Sequence, residues 1–181
     1  MSDTVDMVAM VLAILAIGAL LCLWIVQGNR RLPAVLLFAS YVYELISLTI
    51  LRQTPYPVHR SITEPFHSYR VILRGLITGW GLGLIFEVIG NVLIFLPLGL
   101  VLSRLLRGRR SVWTVLAIGL SCSLVIEAVQ YFSYLGIFEL DDLFHNTLGA
   151  LLGFRLGNYL RRYRERRDEA GIQFVLGALS R

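Results

Sequence analysis

The chain has 181 residues, of which 56% are hydrophobic, and its formal net charge is +5. A soluble domain of this size would need far more polar surface to cover its core, so the composition argues against one. The basic residues are all arginines and lie between long apolar runs, which indicates membrane topology rather than a nucleic-acid partner.

Five apolar runs follow one another along the chain, and polar or arginine-rich segments separate them. Each run has roughly the 17 to 25 residues that cross the hydrocarbon layer as a helix, and none alternates in polarity as a barrel strand would. We therefore predict an all-α fold, a polytopic membrane bundle of about five transmembrane helices. A shorter segment, residues 71–80, is expected to lie at the interface or to re-enter the membrane. The five runs are residues 8–26, 32–51, 82–102, 112–132 and 143–160.

Three parts are expected from these boundaries: an N-terminal transmembrane helix in residues 1–31, a membrane domain in residues 32–161 and a basic cytoplasmic tail in residues 162–181. Asp3 and Asp6 make the N-terminus acidic, so it lacks the positive region of a cleavable signal peptide and the first helix should stay. In the tail, a frayed end is favoured over a surface helix.

The arginines also predict the orientation of the bundle. They concentrate in the first and third loops and in the tail, whereas the fourth loop carries Glu139, Asp141 and Asp142 and no base. Cytoplasmic segments carry the excess of arginine in membrane proteins. We therefore expect a multi-pass cell-membrane protein with its N-terminus outside and its C-terminus in the cytoplasm. The second and fourth loops would then both face outward.

Polar side chains of four predicted helices fall at one depth, near the outer boundary. Glu87 lies about one turn below that boundary, and Asn91 follows one turn deeper on the same face. On the fourth helix, Ser123, Glu127 and Gln130 form a single stripe. Adding the polar ends of the second and fifth helices gives the candidate ligand-binding residues: Arg52, Glu87, Asn91, Ser123, Glu127, Gln130, Asp141, Asp142 and Asn146.

Carboxylates within apolar runs are the most informative of these groups. An ionised carboxylate in hydrocarbon costs several kcal/mol unless it is protonated, paired or hydrated. Arg52 is the expected countercharge for Glu87 or Glu127, and a pocket for a polar ligand is the favoured interpretation. The alternative is that the amides and Ser123 are hydrogen-bond links between helices and that Glu127 is neutral.

Asp142 and His145 are weak candidates for metal ligands, because they offer oxygen and nitrogen one turn apart. An acidic helix start that stabilises the macrodipole and caps free N–H groups explains the same residues, and it is the favoured interpretation. No cofactor is predicted, and no catalytic residue is assigned. The two cysteines, Cys22 and Cys122, are expected to be small buried side chains rather than a disulfide or a metal site.

Glycines recur at every fourth position in the fifth run, at Gly149, Gly153 and Gly157. Small residues at this spacing let two helices pack closely in a membrane. Packing within the bundle is favoured over homodimerisation, and the oligomeric state stays open. In the third run, Pro97 and Gly99 are expected to bend the helix, since proline removes one helical hydrogen bond.

Several motifs in residues 35–161 resemble the VanZ-like family. They are Thr49-Ile-Leu-Arg52, Pro65-Phe66, Glu87, Asn91-Val-Leu-Ile-Phe-Leu-Pro-Leu-Gly99, Ser123, Glu127, Gln130, Asp141-Asp142 and Asn146-Thr-Leu-Gly149 with Gly153. The chain departs from the family at residues 61–64, Ser-Ile-Thr-Glu, where an Asn-Leu pair is common. The resemblance implies a membrane-embedded site made of Arg52, Glu87, Asn91, Ser123, Glu127, Gln130, Asp142 and Asn146.

The family takes its name from an accessory protein of teicoplanin resistance. The resemblance therefore implies an envelope protein that lowers susceptibility to glycopeptide and lipoglycopeptide antibiotics. Its partners would be the lipid bilayer and, at the outer leaflet, a lipid head group or a peptidoglycan precursor. The alternative is a membrane enzyme that acts on a lipid-linked envelope substrate through carboxylates, with or without a metal. A transporter is less favoured, because no polar path crosses the cytoplasmic half.

Overall fold

The computed structural model describes residues 2–27, 31–51, 58–78, 82–106 and 111–179. This part of the chain is mostly helical, so the all-α prediction is confirmed. A π-helical segment, Ser47–Leu51, continues the second helix, and two strands, β1 (Ser61–Ile62) and β2 (Phe138–Glu139), have two residues each. The helices are α1 (Ser2–Gln27), α2 (Arg31–Ile46), α3 (His67–Thr78), α4 (Leu82–Leu105), α5 (Ser111–Phe132) and α6 (Leu140–Leu179).

Two of the helices are long and apolar enough to cross a membrane, judged by length and composition. They cover Leu84–Leu105 and Ser111–Phe132. Two further apolar stretches, Leu12–Ile25 and Val35–Ile50, are shorter. Each of the five predicted runs therefore falls on a helix.

The most extensive helix contact in the fold joins α4 to α6. At Gly149 and Gly153, an added Cβ would collide with the carbonyl oxygens of Val92 and Leu96 on α4. The two backbones approach so closely that only glycine fits, which is the use of small residues at this spacing. The prediction that the glycines pack within the bundle is confirmed.

The core lies where α1 and α2 cover the other face of α4. Leu21, Ile25, Tyr41, Phe95 and Leu100 are almost completely buried there. α4 runs through Pro97 without ending, and the proline ring packs near Gly18 of α1. A continuous apolar core therefore fixes the position of α4, which carries two of the candidate site residues.

The final helix is longer than the sequence predicted. The sequence predicted a helix that ends near residue 160 and is followed by a frayed tail. Instead, α6 continues to Leu179. Residues 161–169 are rich in arginine and glutamate, which favour helices, and Arg164 forms an ion pair with Asp168 at 3.4 Å, one turn away. Local helix propensity and charge pairing extend the helix beyond its apolar part.

The second and fourth loops meet at one end of the bundle, which we call the strand end. Here β1 pairs with β2 in parallel, with Ser61 opposite Phe138 and Ile62 opposite Glu139. The His59 ring stacks on Tyr134, with the ring centroids 3.9 Å apart, next to this pair. α3, the helix that precedes α4 in the chain, also starts at the strand end. It begins at His67, four residues before the short segment 71–80 that the sequence predicted.

Candidate functional site

Asp141 joins α3 to the start of α6. Its Oδ1 accepts the backbone N–H of Phe66 at 2.7 Å, and its Oδ2 accepts that of Ser68 at 2.8 Å. Burial opposes ionisation of this carboxyl, yet the hydrogen bonds from Ser68 and Phe66 outweigh it and hold the pKa of Asp141 below its ordinary value. The same bonds support the positive φ of Phe66, 60°, which is unfavourable for a residue with a side chain.

One turn further along α6, His145 bonds to a side chain that the sequence did not select. The His145 ring is 1% exposed, and its Nε2 lies 2.9 Å from the hydroxyl of Tyr69 on α3. Its Nδ1 lies 3.6 Å from Asp142 Oδ1 and has no hydrogen-bond partner among the described residues. Since Tyr69 is 41% exposed, the Tyr69 hydroxyl, the His145 ring and the Asp142 carboxylate form a row that leads from the surface to a partly buried acid.

Glu127 is 2% exposed and holds β2 against α5. Its Oε2 accepts the backbone N–H of Glu139 at 2.9 Å. The Glu139 side chain lies outside the predicted spans, and its pKa is raised from 4.5 to about 7. Burial is the main cause, and the charges of Asp142, Glu87 and Asp141 add to it, while His145 acts in the opposite sense.

Below these carboxylates, Ser123 and Asn146 link α5 to α6. Asn146 Nδ2 donates to Ser123 Oγ at 2.9 Å, and Ser123 Oγ lies 3.4 Å from the carbonyl of Asp142. Both side chains are buried. Similarly, Gln130 Nε2 donates to the carbonyl of Thr49 in the π-helical segment at 2.8 Å. These three side chains therefore act as links between elements, as the alternative interpretation had it.

The two candidates on α4 are less constrained. Glu87 is exposed and makes no hydrogen bond to another described residue. It is close enough to Asp142, His145 and Glu139 to interact with them electrostatically. The side-chain nitrogen of Asn91 is buried, and it has no hydrogen-bond partner in the described part of the chain.

The structure thus brings part of the predicted set together around His145. We call this group the acidic cluster; it consists of Glu87, Glu127, Glu139, Asp141 and Asp142. Arg52 lies outside the described residues, so its predicted pairing with Glu87 or Glu127 stays a prediction. Within the described residues, no group of three or more His, Cys, Asp or Glu side chains is arranged to hold a metal ion.

Tyr69 and Glu139 lie against the candidate residues, yet the sequence did not place them in the candidate set. Tyr69 is 76 residues away from His145, and nothing in the local pattern of α3 marks it. Glu139 was noted as one acid of the fourth loop, and the approach of β2 to Glu127 is what buries it.

An apolar groove opens at the strand end, between β1, β2 and the last turns of α5. Its volume is about 250 Å³. Two of its residues are chain neighbours of the cluster: Ala128 follows Glu127, and Phe138 precedes Glu139. The groove, which we call the strand groove, is lined by Ser61, Ala128, Tyr131, Phe132 and Phe138.

Comparison with known proteins gives a family and no individual relative. No curated protein and no solved structure matches the chain significantly. The family model VanZ/LLP1 matches residues 19–161, which include α2 to α5, both strands and every residue of the acidic cluster. This span is well over half of the chain, and the chain belongs to the VanZ/LLP1 family.

Proposed function

We propose that the chain is a multi-pass protein of the cell membrane with five spanning helices, an extracytoplasmic N-terminus and a cytoplasmic C-terminus. Family membership and the apolar helices support this. Large hydrophobic side chains also face outward from the bundle, among them Phe86, Trp113 and Phe132, each more than 70% exposed. Lipid would cover such a surface, whereas water would not favour it. The strand end, rich in acids, would then face outward.

The proposed role of the protein is to bind or shield a polar group at the outer leaflet, a lipid head group or a peptidoglycan precursor. The expected consequence is lower susceptibility to glycopeptide and lipoglycopeptide antibiotics such as teicoplanin. The observation that carries this proposal is the acidic cluster, because five carboxylates, from the exposed Glu87 to the buried Glu127 and Asp141, gather there. Ionised carboxylates within a membrane are costly unless they are protonated, paired, hydrated or bound to a ligand.

Teicoplanin susceptibility in a host that expresses the chain tests the proposal. We expect the wild-type chain to raise the inhibitory concentration, and Glu127→Gln, Asp142→Asn and Arg52→Ala to abolish the effect at equal membrane levels. Glu165→Gln is the matched control, since Glu165 is exposed in the distant part of α6 and should retain full protection. Equal protection by all variants would leave the cluster without a role in resistance.

A second candidate function is a membrane enzyme that acts on a lipid-linked substrate. The contact of Tyr69 with His145, and of His145 with Asp142, supports it, because such a row of groups can move a proton between the surface and a partly buried carboxylate. Turnover of a radiolabelled envelope lipid that is lost in Tyr69→Phe, with unchanged lipid binding, would favour this function. If no envelope lipid yields a product, the enzyme function is ruled out.

A further inference from the structure

We infer that α3 lies flat on the membrane at the strand end and binds the phospholipid surface, with one apolar face inserted between the head groups. This inference rests on the proposed membrane-spanning bundle, and of the two positions expected from the sequence it selects the interfacial one over the re-entrant one. Three observations carry it: the attachment of both ends of α3, the chemistry of its exposed side, and the position of aromatic side chains on the bundle.

α4 and α6 begin at the same level of the bundle. Gly149 packs against Val92, and Gly153 packs against Leu96 one turn further along, so the two helices run in the same direction. The same offset places Leu82, the first residue of α4, level with the start of α6. Both helices therefore start at the strand end.

α3 connects these two starts and lies across them. Asp141 holds its N-terminal end against α6 through the N–H of Ser68, and both Ser68 and Gly75 are buried, so α3 packs lengthwise on the bundle instead of projecting from it. The three residues between Thr78 and Leu82 span at most about 14 Å. If the 12-residue helix ran back along the spans, its end would lie about 18 Å from the strand end, too far to reach Leu82.

The exposed side of α3 carries an apolar stripe. Tyr69, Leu73 and Leu76 recur at spacings of four and three residues, so they share one face, and each is more than 40% exposed. Ile77, which is 82% exposed, extends this face at the end of the helix. A helix with a stripe of this kind at a membrane boundary lies in the plane of the interface, with its apolar side between the head groups.

The formal charges on α3 favour phospholipid over an apolar protein partner. They are those of Arg70 and Arg74, one turn apart beside the apolar stripe and both exposed, and residues 67–78 contain no acid. Glu64, just before the helix, pairs with Arg70 at 2.7 Å. Phosphate groups lie at the depth that these arginines would reach, and a guanidinium group bonds phosphate strongly.

Aromatic side chains independently place a membrane boundary at the strand end. Trp113 and Phe132 are exposed near opposite ends of α5 and lie 19 residues apart, which corresponds to about 29 Å and matches the thickness of the hydrocarbon layer. Tyrosine and tryptophan concentrate at both boundaries of membrane proteins. Tyr134 is exposed at the strand end, and Tyr159 is exposed near the opposite end. α3 therefore lies at the level of one boundary.

Fluorescence quenching of the full chain in vesicles tests the inference. Cys22 and Cys122 are replaced by alanine, and Leu73→Cys, Leu76→Cys and Arg70→Cys each carry an environment-sensitive label. The vesicles consist of phosphatidylcholine and phosphatidylglycerol; the quencher is either phosphatidylcholine brominated on its acyl chains or iodide in the buffer. We expect bromine to quench the labels at 73 and 76 about threefold more strongly than the label at 70, and iodide to give the reverse order.

Two reference positions separate failure of this inference from failure of the membrane proposal. Val125→Cys, exposed within the apolar span of α5, should be quenched by bromine, and Val58→Cys, exposed at the strand end, by iodide. All five positions are exposed, and the melting temperatures of the variants report on folding.

Each contrary outcome has a distinct meaning. Quenching of Leu73→Cys and Leu76→Cys by iodide alone, with Val125→Cys in lipid, would overturn the surface position of α3 and leave the spans. Bromine quenching of Arg70→Cys as strong as that of Val125→Cys would mean that α3 re-enters the membrane, which also overturns the inference. Quenching of Val125→Cys by iodide alone would overturn the membrane proposal and this inference together.

Discussion

The attachment of α3 depends on one carboxylate, so Asp141→Asn should release this helix. Asparagine keeps one oxygen acceptor and places an NH₂ group against a backbone N–H, so one charged hydrogen bond is lost and the other becomes neutral. Hydrogen bonds to charged groups contribute about 1.5 to 3 kcal/mol each, compared with about 1 kcal/mol for neutral ones. The expected loss is therefore about 2 to 5 kcal/mol, concentrated in α3 because the helices of the core are packed independently of Asp141.

Hydrogen exchange measured by mass spectrometry reports this loss locally. Amides of residues 67–78 should exchange roughly 30-fold to 5,000-fold faster in Asp141→Asn, because a loss of 1.36 kcal/mol raises the population of the open state about tenfold, while α4 amides keep their protection. Asp168→Asn is the matched control, because Asp168 lies on the distant part of α6 and forms an exposed ion pair with Arg164. Unchanged exchange in α3 would refute the reasoning.

The same contact has a pH dependence of known sign. Because the folded state lowers the pKa of Asp141, its contribution to stability is full above the ordinary value of 3.8 and is lost as the pH falls through the folded pKa. Acid should therefore free α3 in the wild type, and the Asp141→Asn variant should lack this acid-dependent step.

Three further predictions concern packing, titration and topology. Gly153→Val should lower the melting temperature strongly or prevent folding, because its side chain meets the α4 backbone, whereas Gly90→Ala has open space and should melt close to the wild type. Since the Glu139 pKa is raised to about 7, its contribution to stability should fall as the pH rises from 4.5 to 7, and Glu139→Gln should remove this part of the melting profile. In whole cells whose native cysteines are replaced, a membrane-impermeant maleimide should label Val58→Cys and leave Glu169→Cys unlabelled; the reverse pattern would invert the proposed orientation.

The helices themselves were predictable from the sequence, because an apolar run of sufficient length determines a helix locally. The same local geometry predicts one depth for Glu127, Asp142 and Asn146, since rise per residue needs no knowledge of neighbouring helices. The glycine spacing of α6 also indicated a close helix contact. Each of these inferences uses only the spacing of residues within one helix, and that spacing can be read directly from the sequence.

Which groups touch was decided by tertiary structure. The bonds of Asp141 to Phe66 and Ser68, and of His145 to Tyr69, cross more than 70 residues and depend on how α3 docks on α6. Docking is set by packing of side chains on different helices and by the β1–β2 pair, and no local pattern records it. The sequence by itself therefore determined the helices and predicted a common depth for the acids, whereas the packing of α3 and β2 decided which of those acids accept hydrogen bonds from other elements.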